Sequence, residues 1–133
     1  MKFMLDTNIC IYLIKRKSQR IIEHLKKHKA GAIGVSSMTL AELQYGVAKS
    51  LHKKQNRNAL EEFILPLKIV CFDESAAETY GLIRSQLEKT GKPIGSLDTL
   101  IGAHALSLGV TLVTNNIREF KRIKSLKVVD WSA

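Results

Sequence analysis

The stretch Phe3-Met4-Leu5-Asp6-Thr7-Asn8 changes from apolar to polar side chains in a single step. Its three apolar residues predict a short buried strand, and Asp6 then lies where this strand leaves the core. A carboxylate in such a place costs several kcal/mol unless it is paired, hydrogen-bonded or bound to a metal ion. Asp6 therefore needs a chemical partner elsewhere in the chain.

The chain is basic, with 21 Lys and Arg against 12 Asp and Glu among 133 residues, and its formal charge is +9. This length predicts a single domain spanning residues 1–133, and 45% hydrophobic residues are enough for a real core. The charge favours an anionic partner, with nucleic acid ahead of an anionic membrane surface. An ordinary basic soluble protein is the alternative.

The sequence predicts no membrane span and a reducing compartment. Asp6 interrupts the first apolar run, which argues against a signal peptide. Residues 99–117 carry no charge, but glycines and polar side chains punctuate them, so they predict a buried helix followed by a buried strand. Cys10 and Cys71 lie in apolar runs without metal-ligand spacing and predict buried, reduced thiols. We therefore expect a cytoplasmic protein.

Apolar strands alternate with amphipathic helices along the chain. The strands are predicted at residues 2–5, 32–36, 67–72, 110–114 and 127–129. Helices are predicted to start near Asn8, Ser18, Thr39, Lys53, Asp73 or Ser75, and Ser96. This alternation predicts an α/β fold in which helices cover both faces of a mostly parallel sheet.

Four acids are predicted to meet at one edge of this sheet, because ligands of open α/β sheets collect at the carboxyl ends of the strands. Asp6 ends the first strand, and Glu42 lies in the first turn of the helix after the second. Asn116 and Glu119 follow the fourth strand. Asp98 opens the helix that runs antiparallel to that strand, and a helix of about 12 residues is about 18 Å long. Its start therefore returns to the same edge.

Crowded carboxylates raise each other's pKa, and a hard divalent cation relieves the repulsion. Mg²⁺ takes oxygen ligands, lowers the pKa of a coordinated water and screens a phosphodiester. The acids therefore predict a divalent-metal nuclease, with one metal ion or two both possible. The four histidines have no motif context, and His104, on an otherwise apolar helix, is predicted to be a core histidine.

Each candidate side chain can be given a role. Asp6 and Asp98 are expected to bind the metal directly, and Glu42 to bind it through water or to orient the attacking water. Asn116 and Glu119 are expected to complete the metal's ligands or to position a second ion. Further contacts to water and phosphate are expected from Thr7, Asn8 and Thr114.

Each acid also has a purely structural interpretation. Glu42 fits the last position of a capping box begun by Thr39. Asp98 is favoured by the dipole of the helix that it opens, and Asp6 could cap the helix that follows it. Glu119 could be a surface acid. These explanations account for the positions one by one, but they do not predict that the acids converge.

Four motifs occur in order along the whole chain. They are Met4-Leu5-Asp6-Thr7-Asn8, Leu40-Ala41-Glu42-Leu43 with Gly46, the segment from Pro93-Ile94-Gly95 through Asp98 to Ala103-His104-Ala105, and Leu112-Val113-Thr114-Asn115-Asn116 with Arg118-Glu119-Phe120. With these motifs the chain resembles the PIN-domain ribonucleases, and specifically the VapC-type toxins of bacterial toxin–antitoxin pairs.

The resemblance implies a three-layer α/β/α sandwich with strand order 3-2-1-4-5 and an endoribonuclease that depends on Mg²⁺ or Mn²⁺. Asp6, Glu42 and Asp98 match the family's three main acids. Many relatives carry an acid where this chain has Asn116, so Glu119 is the nearby carboxylate left to act as the fourth.

The resemblance also implies partners. Family members generally form homodimers, a cognate antitoxin blocks the acidic pocket with a peptide segment, and several act on structured RNA, notably tRNA. The residues alone leave two other functions open. One is a non-catalytic nucleic-acid-binding or regulatory module whose acids serve as caps, and the other is a DNA-directed nuclease.

Overall fold

A computed structural model of the protein describes every residue from 1 to 133. It contains five strands and seven helices. In chain order they are β1 (Phe3–Leu5), α1 (Thr7–Ile14), α2 (Gln19–Lys26), β2 (Ile33–Ser36), α3 (Ser37–Ala48), α4 (Lys53–Ile64), β3 (Lys68–Val70), α5 (Glu74–Lys89), α6 (Ser96–Leu108), β4 (Thr111–Val113), α7 (Ile117–Phe120) and β5 (Val128–Val129).

The five strands form one sheet in the order β3-β2-β1-β4-β5, and every neighbouring pair is parallel. The first strand of the chain is thus the central one, and Phe3 is paired with Ile33 on one side and with Thr111 on the other. Both the predicted fold class and the predicted strand order are confirmed.

Two apolar cores lie on opposite faces of the sheet. Successive residues of a strand point to opposite faces, and β1 shows this directly, because Leu5 packs with α1–α4 and Met4 packs with α5–α7. Both side chains are fully buried. The result is the predicted three-layer arrangement, in which the middle layer is apolar on both faces, as in parallel sheets generally.

The sequence located several helix ends correctly. Ser18 accepts a hydrogen bond from the Ile21 N–H and caps α2, and Asp73 rather than Ser75 caps α5. Gly109 ends α6 in the left-handed conformation at φ 67°, which glycine adopts without strain. No helix has both the length and the apolar composition needed to cross a membrane.

Two local predictions are wrong. Helix α3 begins at Ser37 and is capped by Ser36, whose hydroxyl accepts from the Met38 N–H, so Thr39 and Glu42 do not form a capping box. Cys71 is exposed, because the edge strand β3 ends at Val70 and leaves the next side chain uncovered. Cys10 is buried as predicted, and both thiols are free.

Candidate active site

Asp6 follows β1 directly and is only 2% exposed. Its backbone N–H donates to the Val113 carbonyl of β4, and its Oδ1 accepts from the Ile9 N–H at 2.8 Å, which caps α1. Asp6 is therefore the cap of α1, as its structural interpretation predicted. A cap needs one carboxylate oxygen, so the second remains available for another role.

The environment of Asp6 opposes its ionisation. The pKa of its carboxyl is raised from 3.8 to about 6, mainly by burial and in smaller part by the charges of Asp98 and Asp130. Hydrogen bonds from the Thr114 side chain and the Ile9 N–H act in the opposite direction and favour the carboxylate. Asp6 is thus a buried acid that faces other acids.

Asp98 is the third residue of α6 and is half-buried. Burial raises its pKa, and the charge of Glu119 raises it further. Because Asp98 acts electrostatically on Asp6 and Glu119 acts on Asp98, these three acids lie within electrostatic range of one another. The antiparallel return of α6 to the carboxyl edge of the sheet is therefore as predicted.

A short hydrogen-bonded path connects the fourth strand to these acids. The Asn116 side-chain amide donates to Glu119 Oε2 at 3.0 Å, and the Asn116 backbone N–H donates to Thr114 Oγ1 at 2.9 Å. Thr114 is fully buried and also hydrogen-bonds to Asp6. Asn116 therefore holds Glu119 in place, and Thr114 links this turn to Asp6.

Glu42 lies apart from this group. Its side chain is exposed on α3 and lines a groove together with Thr7. Thr7 Oγ1 donates to Thr39 Oγ1 at 3.2 Å, which ties the start of α1 to α3. No three His, Cys, Asp or Glu side chains lie close enough together to hold a metal ion. The four predicted acids are therefore not gathered into one ready-made ligand set.

Asp130 is an acid of the site that the sequence interpretation missed. It follows β5 directly, and its charge raises the pKa of Asp6. The Thr114 N–H donates to the Val129 carbonyl, so the ends of β4 and β5 lie side by side. Asp130 Oδ1 accepts from the Ser132 N–H at 2.8 Å. An acid directly after a strand is the same signal that identified Asp6.

The donor chemistry of the site fits a hard divalent cation. The one ion pair of the protein joins Arg84 and Glu88 on the exposed face of α5, so no basic side chain pairs with Asp6 or Asp98. The candidate donors are all carboxylate, amide or hydroxyl oxygens, the ligand type that Mg²⁺ and Mn²⁺ prefer. Such a cation would offset the burial and the neighbouring carboxylate charges that raise the pKa of both aspartates.

Comparison with known proteins agrees with this arrangement. The PIN domain family model matches residues 3–126. The chain is 46% identical over 132 residues to ribonuclease VapC2 of Rickettsia felis, which covers 98% of both chains. It is 42% identical over 132 residues to the tRNA(fMet)-specific endonuclease VapC of Shigella flexneri, which covers 99% of both.

Solved structures give the same result. The crystal structure of VapBC2 from Rickettsia felis bound to a DNA fragment from its promoter matches with a TM-score of 0.91 and 44% identity, over 98% of this chain and 99% of that one. DNA-bound VapBC from Salmonella typhimurium matches with a TM-score of 0.94 and 44% identity, over 98% of both chains. The chain therefore belongs to the PIN-domain family and, within it, to the VapC ribonucleases of toxin–antitoxin systems.

Proposed function

We propose that this PIN-domain toxin, as a single domain over residues 1–133, is an endoribonuclease that depends on Mg²⁺ or Mn²⁺. Its proposed catalytic residues are Asp6, Glu42, Asp98, Asn116 and Glu119. The observation that carries the proposal is Asp6 itself. It is a buried carboxyl with a pKa raised to about 6, it faces Asp98 at the carboxyl edge of the sheet, and no cation of the protein pairs with it.

In the proposed mechanism Asp6 and Asp98 hold the metal ion. When bound, that ion lowers the pKa of a water molecule and screens the charge of the RNA phosphodiester. The Ile9 N–H and Thr114 hold the Asp6 carboxylate in one orientation and favour its ionised form. A side chain held in this way loses little freedom when it becomes a ligand.

Glu119 and Glu42 have separate proposed roles. Glu119, held by the Asn116 amide, lies within electrostatic range of Asp98 and completes the acidic edge of the site. Glu42 is exposed and lines the groove that reaches Thr7, where it is free to orient water or to bind the metal through water.

The proposed substrate is a structured RNA, such as tRNA. The formal charge of +9 provides the long-range attraction to phosphate. The relative from Shigella flexneri is described as tRNA(fMet)-specific, which supports a tRNA substrate here. Structured RNA is recognised largely through its shape and its phosphates, and a basic surface suits that mode.

The proposed partner is a cognate antitoxin, as in the VapBC complexes that this chain resembles. A groove of about 440 Å³ between α1, α3 and α4 offers a docking site for a peptide segment. Glu42 and Thr7 belong to its polar lining, and its apolar lining consists of Ile11, Ile14, Leu43, Tyr45, Val47 and Leu60. A peptide in this groove would cover Glu42.

We also propose a cytoplasmic homodimer. Leu51, Leu65 and Leu82 are 96%, 81% and 70% exposed, which gives the surface apolar side chains that a second copy could cover. The cytoplasm is where RNA substrates lie, and both cysteines are free, as expected in a reducing compartment.

The test is cleavage of a tRNA by the purified protein with Mg²⁺ or Mn²⁺. Asp6→Asn and Asp98→Asn should each abolish cleavage while the circular dichroism spectrum stays native. Glu88→Gln, in the exposed ion pair of α5, is the matched control and should retain activity. Matched DNA should survive. Cleavage that persists in both aspartate variants, or in excess chelator, contradicts the proposal.

A further inference from the structure

His104 is a buried polar side chain that the mechanism above does not use. It lies in the middle of α6, is 1% exposed and packs edge-on against the ring of Phe72, with 5.3 Å between the ring centroids. Its Nδ1 lies 2.8 Å from Ser36 Oγ. This is the one side-chain hydrogen bond that joins α6 to another strand or helix.

The partner of His104 is Ser36, which lies where β2 ends and α3 begins. Ser36 is the last residue of β2 and the cap of α3, and its hydroxyl oxygen accepts from the Met38 N–H at 3.1 Å. The hydroxyl proton is then available to donate to Nδ1, which puts the imidazole proton on Nε2. One serine therefore connects a strand, a helix start and the ring of His104.

The surroundings of His104 favour the neutral form of its ring. Burial lowers its pKa, and the charge of Asp73 and the backbone of Cys71 oppose this only in part. Nε2 is buried and has no hydrogen-bond partner in good geometry. The Cys71 backbone is near enough to favour a proton on the ring, but it does not complete a hydrogen bond. Burying a polar ring atom in this state is unfavourable. Packing alone would be served better by an apolar side chain of similar size.

The bond joins two helices that carry proposed catalytic acids. Helix α6 presents Asp98 from its first turn, and α3 presents Glu42. The Thr7–Thr39 hydrogen bond in turn joins α3 to α1, directly after Asp6. Side-chain hydrogen bonds thus connect the three acid-bearing segments in series. The bond between His104 and Ser36 is the one that joins α6 to the other two segments.

We propose that His104 is a positioning residue of the nuclease, which holds the helix of Asp98 against the start of the helix of Glu42 through Ser36. The inference rests on the proposed function, because this placement matters only if both acids take part in cleavage. Groups that orient metal ligands in this way typically contribute about 10- to 100-fold to affinity or activity.

The experiment compares three variants. It measures kcat and KM from the kinetics of RNA cleavage, and Mn²⁺ affinity by titration calorimetry. His104→Leu keeps the volume but removes the bond, and it should lower kcat by about tenfold or more. It should also weaken Mn²⁺ binding, while KM stays the same and the melting temperature does not fall. His104→Asn places a polar atom near the position of Nδ1 and should restore most of kcat. Ser107→Ala, on the same helix, is the control and should match the wild type.

A double variant tests whether the two partners act as one unit. If they do, His104→Leu with Ser36→Ala should lower kcat no further than the stronger single variant. Three outcomes would each overturn the inference. They are an unchanged kcat in His104→Leu, an equal loss of kcat in His104→Leu and His104→Asn, and a loss of kcat in the double variant that equals the two single losses combined. Asp98→Asn in the same assay separates the two proposals. If Asp98→Asn cleaves RNA, the proposed function itself fails. If Asp98→Asn is inactive but His104→Leu is as active as the wild type, only the positioning role is overturned.

Discussion

Asp6 serves two purposes that conflict in the metal-free protein. As a cap it stabilises the start of α1 through the Ile9 N–H, but as a buried charge among other acids it destabilises the fold. Burial and neighbouring carboxylates have the larger effect, since the pKa is raised to about 6 despite two favourable hydrogen bonds. The site is therefore arranged for a ligand rather than for stability.

This conflict predicts a pH dependence of stability in chelator. Because the folded pKa of about 6 lies above the ordinary 3.8, the stability associated with a neutral Asp6 is fully present below 3.8 and is lost as pH rises through 6. The difference corresponds to about 3 kcal/mol. Asp6→Asn keeps the cap and removes the charge, so it should be more stable than the wild type near neutral pH.

Urea unfolding of both proteins at about pH 4 and about pH 7 measures this effect. The advantage of Asp6→Asn should shrink toward the lower pH, where the wild-type carboxyl is largely protonated. A variant that is less stable than the wild type at neutral pH would show that the charged cap outweighs the cost of burial.

Individual residues differ in how far the sequence could reveal them. Asp6 was predicted because it ends the first apolar run, and Asp98 because it opens a long, clearly patterned helix. Asp130 directly follows the predicted strand at residues 127–129, but its effect on Asp6 depends on the pairing of β5 with β4, which no local pattern encodes. The Asn116–Glu119 hydrogen bond depends on a helix of one turn, whose geometry no periodicity encodes.

At the scale of elements, the sheet depends on a close approach at Gly34. A Cβ there would lie 2.7 Å from the Lys68 carbonyl of β3 and would overlap the Met1 sulfur. The methionine can move, but a backbone carbonyl in a paired strand cannot move without breaking the ladder. We predict that Gly34→Ala lowers the free energy of unfolding by about 1–3 kcal/mol.

Gly81→Ala is the matched control for this prediction. Gly81 lies inside α5 with nothing within 4 Å of the added methyl group, so alanine should stabilise the helix by about 0.5–1 kcal/mol. Thermal and urea unfolding of both variants measure the two effects, which should have opposite signs. If Gly34→Ala leaves the free energy of unfolding unchanged, β2 and β3 can move apart without cost.

Element boundaries were predicted well where a cap is unambiguous and poorly where caps compete. Ser18 and Gly109 stand alone at the ends of their helices, and both were identified. Ser36, Ser37 and Thr39 follow one another, and each is a plausible cap. The tertiary fold decides among them, since Ser36 also ends β2 and bonds to His104, which no local pattern contains.

For the whole molecule, the proposed metal site predicts ligand-linked stability. A cation that binds only the folded protein at 100 times its dissociation constant adds about 2.7 kcal/mol. Mn²⁺ should therefore raise the melting temperature of the wild type, and the shift should be smaller in Asp98→Asn. A non-catalytic module whose acids act only as caps predicts equal melting temperatures with and without Mn²⁺.

The basic charge predicts how salt affects the enzyme. If the formal charge of +9 attracts RNA through its phosphates, KM should rise steeply between about 50 and about 200 mM salt. The rate at saturating RNA should change far less, because the bound phosphate is already in place. Steady-state kinetics on one RNA across this range test the idea, and a KM that is independent of salt would contradict it.

The overall architecture was only partly available from the sequence pattern. Alternating strands and helices indicate a parallel sheet, but strands of two to four residues carry no information about their neighbours. The strand order came from the family resemblance. Whether two acids on different strands meet depends on that order, so composition and periodicity alone could indicate a shared edge but not the contacts between Asp6, Asp98 and Glu119.

The central place of β1 in the sheet has a consequence for biosynthesis. Phe3 precedes both of its partners in the chain, and one of them, Thr111, is made only after β2, β3 and six helices. A nascent chain that stops short of β4 has an open sheet edge and lacks Glu119, so its cleft is incomplete. A toxin with this topology therefore completes its cleft only after β4 and Glu119 have been made.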